Sequence, residues 1–74
     1  MDYKYIKFNY LSGSNEYDCI NKSNGDLLAS IIYYEPGHRW VLCKFFNSIF
    51  DSSCLYDIVD FLNFLDRQKK EGKT

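Results

Sequence analysis

The spacing of hydrophobic residues along this chain changes at the serine pair Ser52-Ser53. Before the pair, apolar and polar positions alternate in short runs separated by turn residues, which is typical of half-buried β-strands. After it, apolar residues recur at intervals of three and four positions, the period of one amphipathic helix. The helical set comprises Leu55, Ile58, Val59, Leu62 and Leu65, with Phe61 at its edge. The pattern therefore predicts a β-sheet followed by a single helix.

Four runs before the serine pair predict strands, because they are rich in β-branched and aromatic residues. These runs span residues 3–10, 16–21, 27–34 and 39–46. The dipeptide Asn24-Gly25 between the second and third runs is a strong hairpin signal, and Pro36-Gly37 before the fourth is a turn signal. Because short connections join antiparallel neighbours, the expected strand order is a 1-2-3-4 meander.

The predicted fold class is α+β, a four-stranded antiparallel β-meander with one C-terminal α-helix packed on one face. With 74 residues, the chain is expected to form a single domain over residues 1–74. The sheet is expected at about 3–46, the helix at about 53–70, and a loose tail at 71–74. Ser52 or Ser53 is the expected N-cap of the helix.

The third and fourth strands are apolar on both of their alternating faces. On the fourth strand, Val41 and Cys43 alternate with Trp40 and Leu42. A sheet that is covered on one side only should alternate more cleanly between apolar and polar residues. The second face of this hairpin is therefore expected to be covered, either by the chain itself or by another molecule.

Aromatic residues make up 19% of the chain, which is more aromatic surface than a two-layer domain of this size conceals. On a helical projection Phe64 falls opposite the core stripe, with Asp57, Asp60 and Tyr56 on the same side. These four residues form a candidate protein-binding site, in which Phe64 is the apolar anchor and the carboxylates meet Lys or Arg. The alternative interpretation is a single exposed aromatic residue without a function.

A second candidate contact region is the sheet face that the helix leaves open, to which Trp40, Tyr34 and Tyr5 are assigned. This face would contact a partner protein or pair two copies of the chain into a homodimer. With Tyr3 and nearby basic residues, it would alternatively stack the bases of a single-stranded nucleic acid. The formal net charge of −1 argues against direct nucleic-acid binding, because stacking without a basic surface is weak at physiological salt.

The sequence contains no recognisable catalytic, cofactor-binding or metal-binding motif. His38 could form a dyad with Cys43 or Cys54, but the stronger interpretation is a solvent-facing turn residue. The sequence also offers four residues of the types that bind zinc, which are Cys19, His38, Cys43 and Cys54. They lack the closely spaced pairs of ligands that structural zinc sites use. We therefore predict a non-enzymatic chain with no cofactor and no metal. Its three thiols are expected to be free and buried, with that of Cys43 pointing inward.

An odd number of cysteines, no C-x-x-C pattern and no secretory segment after Met1 indicate a reducing compartment. The predicted location is therefore the cytoplasm. No apolar run approaches the ~18 residues that a membrane span needs, so no membrane association is expected.

The pattern and length of the chain resemble those of small β-meander-plus-helix proteins encoded by bacteriophages and mobile elements, among them anti-CRISPR and other anti-defence inhibitors. The segments that carry the resemblance are Asn24–Ile31, Trp40–Leu42 and Leu55–Leu62. The resemblance implies a compact phage protein that inhibits a host protein or ribonucleoprotein complex handling nucleic acid. Inhibition would be by steric occlusion, in the host cytoplasm. No functional residue is carried over from that family.

Overall fold

The computed structural model describes residues 2–45 and 47–72. Its four strands form one antiparallel sheet in the order β1-β2-β3-β4, followed by one helix, so the predicted α+β fold is confirmed. The elements are β1 (Ile6–Leu11), β2 (Glu16–Asn21), β3 (Leu27–Tyr34), β4 (Arg39–Lys44) and α1 (Ser52–Gly72). Within the described part of the chain, no helix combines the length and hydrophobicity needed to cross a membrane.

The strand boundaries agree with the prediction for β2 and β3 and differ for the outer strands. β1 begins at Ile6, three residues later than predicted, and β4 ends at Lys44. Phe46, the predicted end of the fourth strand, lies outside the described residues. The same is true of Lys73 and Thr74 in the predicted tail, whereas α1 continues to Gly72.

Asp51 caps α1, so the prediction of Ser52 or Ser53 as the N-cap is wrong. The Oδ1 atom of Asp51 accepts hydrogen bonds from the Cys54 backbone N–H and the Ser53 hydroxyl, each at 2.9 Å. The first N–H groups of a helix lack partners within the helix, and an aspartate at this position satisfies one of them. These bonds, chiefly that from Cys54, hold the pKa of the Asp51 carboxyl below its usual value.

The two predicted turns form at the predicted places. Gly25 has a φ of +79°, in the left-handed region that glycine enters without steric cost. The side chain of Asn24 accepts a hydrogen bond from the Asp26 N–H at 2.8 Å. Between β3 and β4 the chain makes one turn of 3-10 helix over Glu35–Gly37, and His38 follows with a φ of 53°.

A β-bulge in β3 decides which of two leucines faces the helix. Cys19 pairs with Ala29, but its neighbour Ile20 pairs with Leu27, so Leu28 is an extra residue in the ladder. Leu28 packs against the core, and Leu27 is 45% exposed on the other face. Strict alternation would have placed Leu27 on the face of Ala29, and the bulge prevents this.

The core lies between one face of the sheet and α1. The ring of Phe61 stacks on that of Phe8 with centroids 4.0 Å apart, and it meets Tyr17 edge-on at 5.1 Å. Such aromatic pairs stabilise a core beyond the area that they bury. The enclosed residues are Ile6, Cys19, Ala29, Ile31, Ile58, Phe61 and Leu65.

The helix also protects one edge of the sheet. The backbone N–H of Trp40, on the edge strand β4, donates a hydrogen bond to Oδ1 of Asp66 at 2.9 Å. An edge strand with free backbone groups is a template for pairing with another chain. Asp66 occupies one of these groups, so edge-to-edge pairing through this part of β4 is disfavoured.

Candidate protein-binding surfaces

The helix α1 lies on the sheet in a different rotation from the one that its sequence predicts. The predicted core stripe includes Leu55 and Val59, but these side chains are 47% and 52% exposed. Phe61, predicted at the edge of the stripe, is only 7% exposed and stacks on Phe8. Apolar residues occupy nine of the twelve positions from Cys54 to Leu65, so the pattern alone does not select one rotation. The rotation adopted is the one that stacks Phe61 on Phe8.

The prediction that Phe64 lies on the solvent side of α1 is wrong. Its side chain is half-buried and packs against the cluster formed by Ile31, Phe61 and Leu65. The rings of Phe64 and Phe61 are nearly parallel, with centroids 6.3 Å apart. The observed rotation turns Phe64 toward the sheet, so this residue contributes to the core instead of standing free as an anchor.

The two predicted acidic residues have different surroundings. Asp57 is half-buried, whereas Asp60 is exposed and accepts a hydrogen bond from the Tyr3 hydroxyl at 2.8 Å. Burial, and then the bond to Asp60, raises the pKa of Tyr3 above its usual value. One oxygen of Asp60 thus ties the N-terminal segment to α1, which leaves less of the carboxylate for a basic residue on a partner.

The solvent-facing side of α1 carries an apolar patch that the core of the chain does not use. Tyr56 is 75% exposed, and the half-exposed Leu55 and Val59 lie beside it on the same side of the helix. The exposed polar residues Asp60 and Asn63 border the patch on the same side, as the helical period requires. We refer to Leu55, Tyr56, Val59, Asp60 and Asn63 as the outer helix surface. The sequence pattern located Tyr56 and Asp60 in it but assigned Leu55 and Val59 to the core.

The assignment of Trp40 to the open sheet face is wrong. Trp40 is half-buried on the face that α1 covers, and its ring meets that of Tyr33 with centroids 5.7 Å apart. Tyr3 also packs against the core, whereas Tyr5 and Tyr34 are each 49% exposed. The aromatic platform on which single-stranded nucleic acid would stack is therefore not assembled as predicted, because two of its members lie beneath the helix.

The face of the sheet opposite α1, the open sheet face, carries apolar and polar residues in nearly equal number. Within residues 2–45 and 47–72, the helix packs on the other face, and Ile32 and Val41 pair directly across β3 and β4. Apolar positions on the open sheet face are Leu11, Ile20, Leu27, Ile32, Tyr34, Val41 and Cys43, and polar positions are Lys7, Asn9, Glu16, Asp18, Ser30 and Arg39. The second apolar face of the last hairpin is thus left uncovered by α1.

One end of the open sheet face continues into a cleft of about 510 Å³. Leu27, Phe45 and Ile49 line it and are 45%, 38% and 90% exposed. The hydroxyl of Ser48 donates a hydrogen bond to the Leu28 carbonyl, which ties the connecting segment to β3. Sequence reasoning missed this cleft. Its signal was the apolar composition of the segment between β4 and α1, which is unusual for a surface connection.

His38 lies in a second cleft, of about 450 Å³, whose other lining residues are Arg39, Asp66 and Lys69. This set contains no cysteine, so the possible dyad of His38 with Cys43 or Cys54 is not assembled in this cleft. In the described part of the chain, no three His, Cys, Asp or Glu side chains are grouped to hold a metal ion. The geometry around His38 is that of a polar surface recess.

The three thiols are free but differ in exposure. Cys19 is buried and Cys54 is half-buried, whereas Cys43 is exposed, so the prediction that Cys43 points inward is wrong. The reason is that β4 turns Trp40 and Leu42 toward the helix, and Cys43 alternates with them. Burial raises the pKa of the Cys19 thiol to about 11, with a smaller contribution from Cys54. A buried neutral thiol behaves as a small apolar side chain.

We expect the protein to lose stability above about pH 9, because Cys19 ionises more easily in the unfolded chain than in the fold. Folding raises the pKa of this thiol to about 11, so its contribution is complete below the unfolded value of ~8.5 and falls as the pH rises toward 11. The loss should be on the order of 2 kcal/mol. Urea unfolding at pH 7, 9 and 10.5 measures it, with Cys19→Ala as the comparison. Tyr3 and Tyr17, whose pKa values are also raised, act in the same direction in both proteins. An equally steep decline in Cys19→Ala would contradict the assignment to Cys19.

No protein-family model, curated protein or solved structure matches this chain. The function is therefore inferred from the fold and surfaces described above.

Proposed function

We propose that this chain is a small, non-enzymatic protein-binding domain that inhibits a host complex handling nucleic acid, and that it binds through the outer helix surface. The observation that supports this most is the exposure of Leu55, Tyr56 and Val59 on one side of α1. The sheet does not cover these side chains, and neighbouring apolar side chains exposed on one side of a helix are typical of a contact surface.

The composition of the outer helix surface suits a partner with an apolar groove. Fully burying a side chain such as Leu or Val contributes ~1.5–3 kcal/mol, and these residues still have about half of that to gain. Tyr56 combines a large ring with a polar tip, a frequent make-up of binding hot spots. Asp60 and Asn63 supply a polar border. Because the patch lies on a preformed helix, little backbone entropy is lost on binding.

The size and charge of the domain support inhibition by occlusion as the proposed mode. Its extents of 37 × 21 × 20 Å are enough to exclude nucleic acid from a channel over which it is seated. The net charge of −1 is too small for the chain to imitate the phosphate backbone of nucleic acid. Apolar contact followed by steric exclusion is therefore the proposed mode, and three free thiols accord with a cytoplasmic place of action.

The test is a phage plating assay in cells that carry an active nucleic-acid-targeting defence system. Expression of the wild-type chain is expected to restore plating, whereas Tyr56→Ala and Val59→Asp are expected to lose at least tenfold of that effect. Both variants should keep the melting temperature within a few degrees, because the residues are exposed. Ser23→Ala, at an exposed turn position far along the chain from α1, is the matched control and should act like the wild type.

Two results would contradict the proposal. One is full activity of both outer helix variants, and the other is the absence of any effect of the wild-type chain across defence systems. A third result would favour the nucleic-acid alternative. It is an affinity for a single-stranded oligonucleotide that is lost between about 50 and 200 mM salt, the range over which electrostatic binding weakens.

A further inference from the structure

We propose that the surface around Lys69 binds a free nucleoside monophosphate. Two neighbouring recesses both include this side chain. One is the cleft of about 450 Å³ that also contains His38, which we call the basic recess. The other has a volume of about 300 Å³ and is lined in part by Tyr33 and Trp40, and we call it the aromatic recess. Neither includes a residue of the outer helix surface, so this inference does not rest on the proposed function.

The basic recess is suited to a phosphate group. Its described lining residues are Lys69, Arg39, His38 and Asp66. Arg39 and Lys69 form no ion pair with any side chain that the structure describes. The imidazole of His38 has an N–H to donate in either protonation state. Guanidinium and ammonium groups bind phosphate oxygens through charge-assisted hydrogen bonds, so the recess offers these donors to an anion.

Asp66 is the acidic member of the described lining, and the fold already uses it. Its Oδ1 atom accepts the hydrogen bond from the Trp40 backbone N–H at 2.9 Å. Two cations still outweigh the repulsion that this carboxylate exerts on an anion. The helix dipole alone would account for a lysine in the last turns of α1, but Arg39 is the first residue of the strand β4. The convergence of the two cations from separate elements is therefore not explained by the helix.

The ammonium group of Lys69 is held in place before any ligand binds. Its Nζ atom lies 4.5 Å from the centroid of the Tyr33 ring, within the range of a cation–π contact. Tyr33 in turn meets Trp40 edge-on, with centroids 5.7 Å apart. Because the lysine side chain is already ordered, less conformational entropy is lost when it contacts a ligand.

The aromatic recess is suited to the nucleoside. Apolar walls from Ile32, Tyr33 and Trp40 stand beside polar residues, which are Ser14, Asn15, Glu16 and Glu35. Bases pack against aromatic side chains, and carboxylates accept hydrogen bonds from base amino groups and ribose hydroxyls. The same two carboxylates repel a phosphate. Charge therefore orients the ligand, with the base in the aromatic recess and the phosphate in the basic recess.

The first measurement is an amide NMR titration of the full chain with the common ribonucleoside 5′-monophosphates, the matching nucleosides and inorganic phosphate. At least one monophosphate is expected to bind about tenfold or more tightly than its nucleoside and than phosphate. It should shift amide signals in both recesses, those of Asn15, Glu35, His38 and Lys69.

Three results of this titration would overturn the proposal. One is the absence of these shifts with every monophosphate up to about 10 mM, and another is equal affinity for inorganic phosphate. The third is a 5′-phosphorylated trinucleotide that binds about tenfold more tightly than its terminal nucleotide, because the ligand would then be an oligonucleotide.

The second measurement compares two variants that remove one positive charge from the same helix. Lys69→Gln removes the cation shared by the recesses and is expected to weaken binding of the monophosphate by about tenfold or more. Arg67→Gln changes an exposed residue outside the described lining of both recesses, so its affinity should stay within about twofold of the wild type. Both should stay folded by circular dichroism, because both side chains are exposed. Equal losses of affinity would indicate attraction to net charge alone and would overturn the site.

Discussion

Replacing Ile31 with aspartate is expected to leave the protein unfolded at 25 °C and pH 7. Ile31 is 0% exposed, lies in the central strand β3, and packs against Phe61 and Leu65. Losing the apolar side chain alone costs about 2–5 kcal/mol, and a buried carboxylate without a partner costs several more. A domain of 74 residues has about 4–11 kcal/mol of stability in total, at about 0.05–0.15 kcal/mol per residue. The substitution therefore exceeds what the fold can tolerate. Far-UV circular dichroism measures the outcome.

The neighbouring residue supplies a matched control for this experiment. Ile32 differs from Ile31 by one position, yet it faces the open sheet face and is half-buried. Ile32→Asp should retain the folded spectrum, because its carboxylate can reach water. If the two variants unfold to the same extent, the register of β3 described above is wrong. A one-residue shift in register would exchange the two faces.

Replacing Phe61 with alanine is expected to cost about 3–5 kcal/mol of unfolding free energy. Its ring stacks on Phe8 at 4.0 Å, meets Tyr17 at 5.1 Å and is 7% exposed, so its removal leaves a cavity between helix and sheet. At about 4–8 °C per kcal/mol for domains of this size, the melting temperature should fall by ~12 °C or more. Urea unfolding and a thermal scan at pH 7 provide both quantities.

Two further substitutions on α1 test the rotation of the helix. Phe64→Ala should cost roughly 1–2 kcal/mol, because the half-buried ring packs on Phe61 at 6.3 Å. Tyr56→Ala should change stability by no more than about 0.5 kcal/mol, since that side chain is 75% exposed. The rotation predicted from the sequence pattern places both residues on the solvent side, so it requires both substitutions to be nearly neutral. A nearly neutral Phe64→Ala would show that the helix packs differently from the structure described above.

The candidate contact residues could be predicted only in part, and the reason differs between the helix and the sheet. Tyr56 and Asp60 lie on the side of the helix away from the buried Ile58 and Leu65, so a projection places them outside correctly. Phe64, Leu55 and Val59 could not be placed this way, because apolar residues surround most of α1. On the sheet, alternation separates Trp40 from Val41 but does not say which of them the helix covers.

The sequence by itself determined the number of strands, their antiparallel order and the place where the helix begins, because these follow from local signals. Alternation, the short turns at Gly25 and Pro36, and the change of period at Ser52-Ser53 each depend on only a few neighbouring residues. Only the tertiary structure decided the rotation of α1, the bulge at Leu28 and the face of the last hairpin that stays open. These depend on contacts between residues far apart in the chain, such as the stacking of Phe61 on Phe8. The local sequence pattern was compatible with more than one rotation of the helix, and the packing of side chains against the sheet selected one of them.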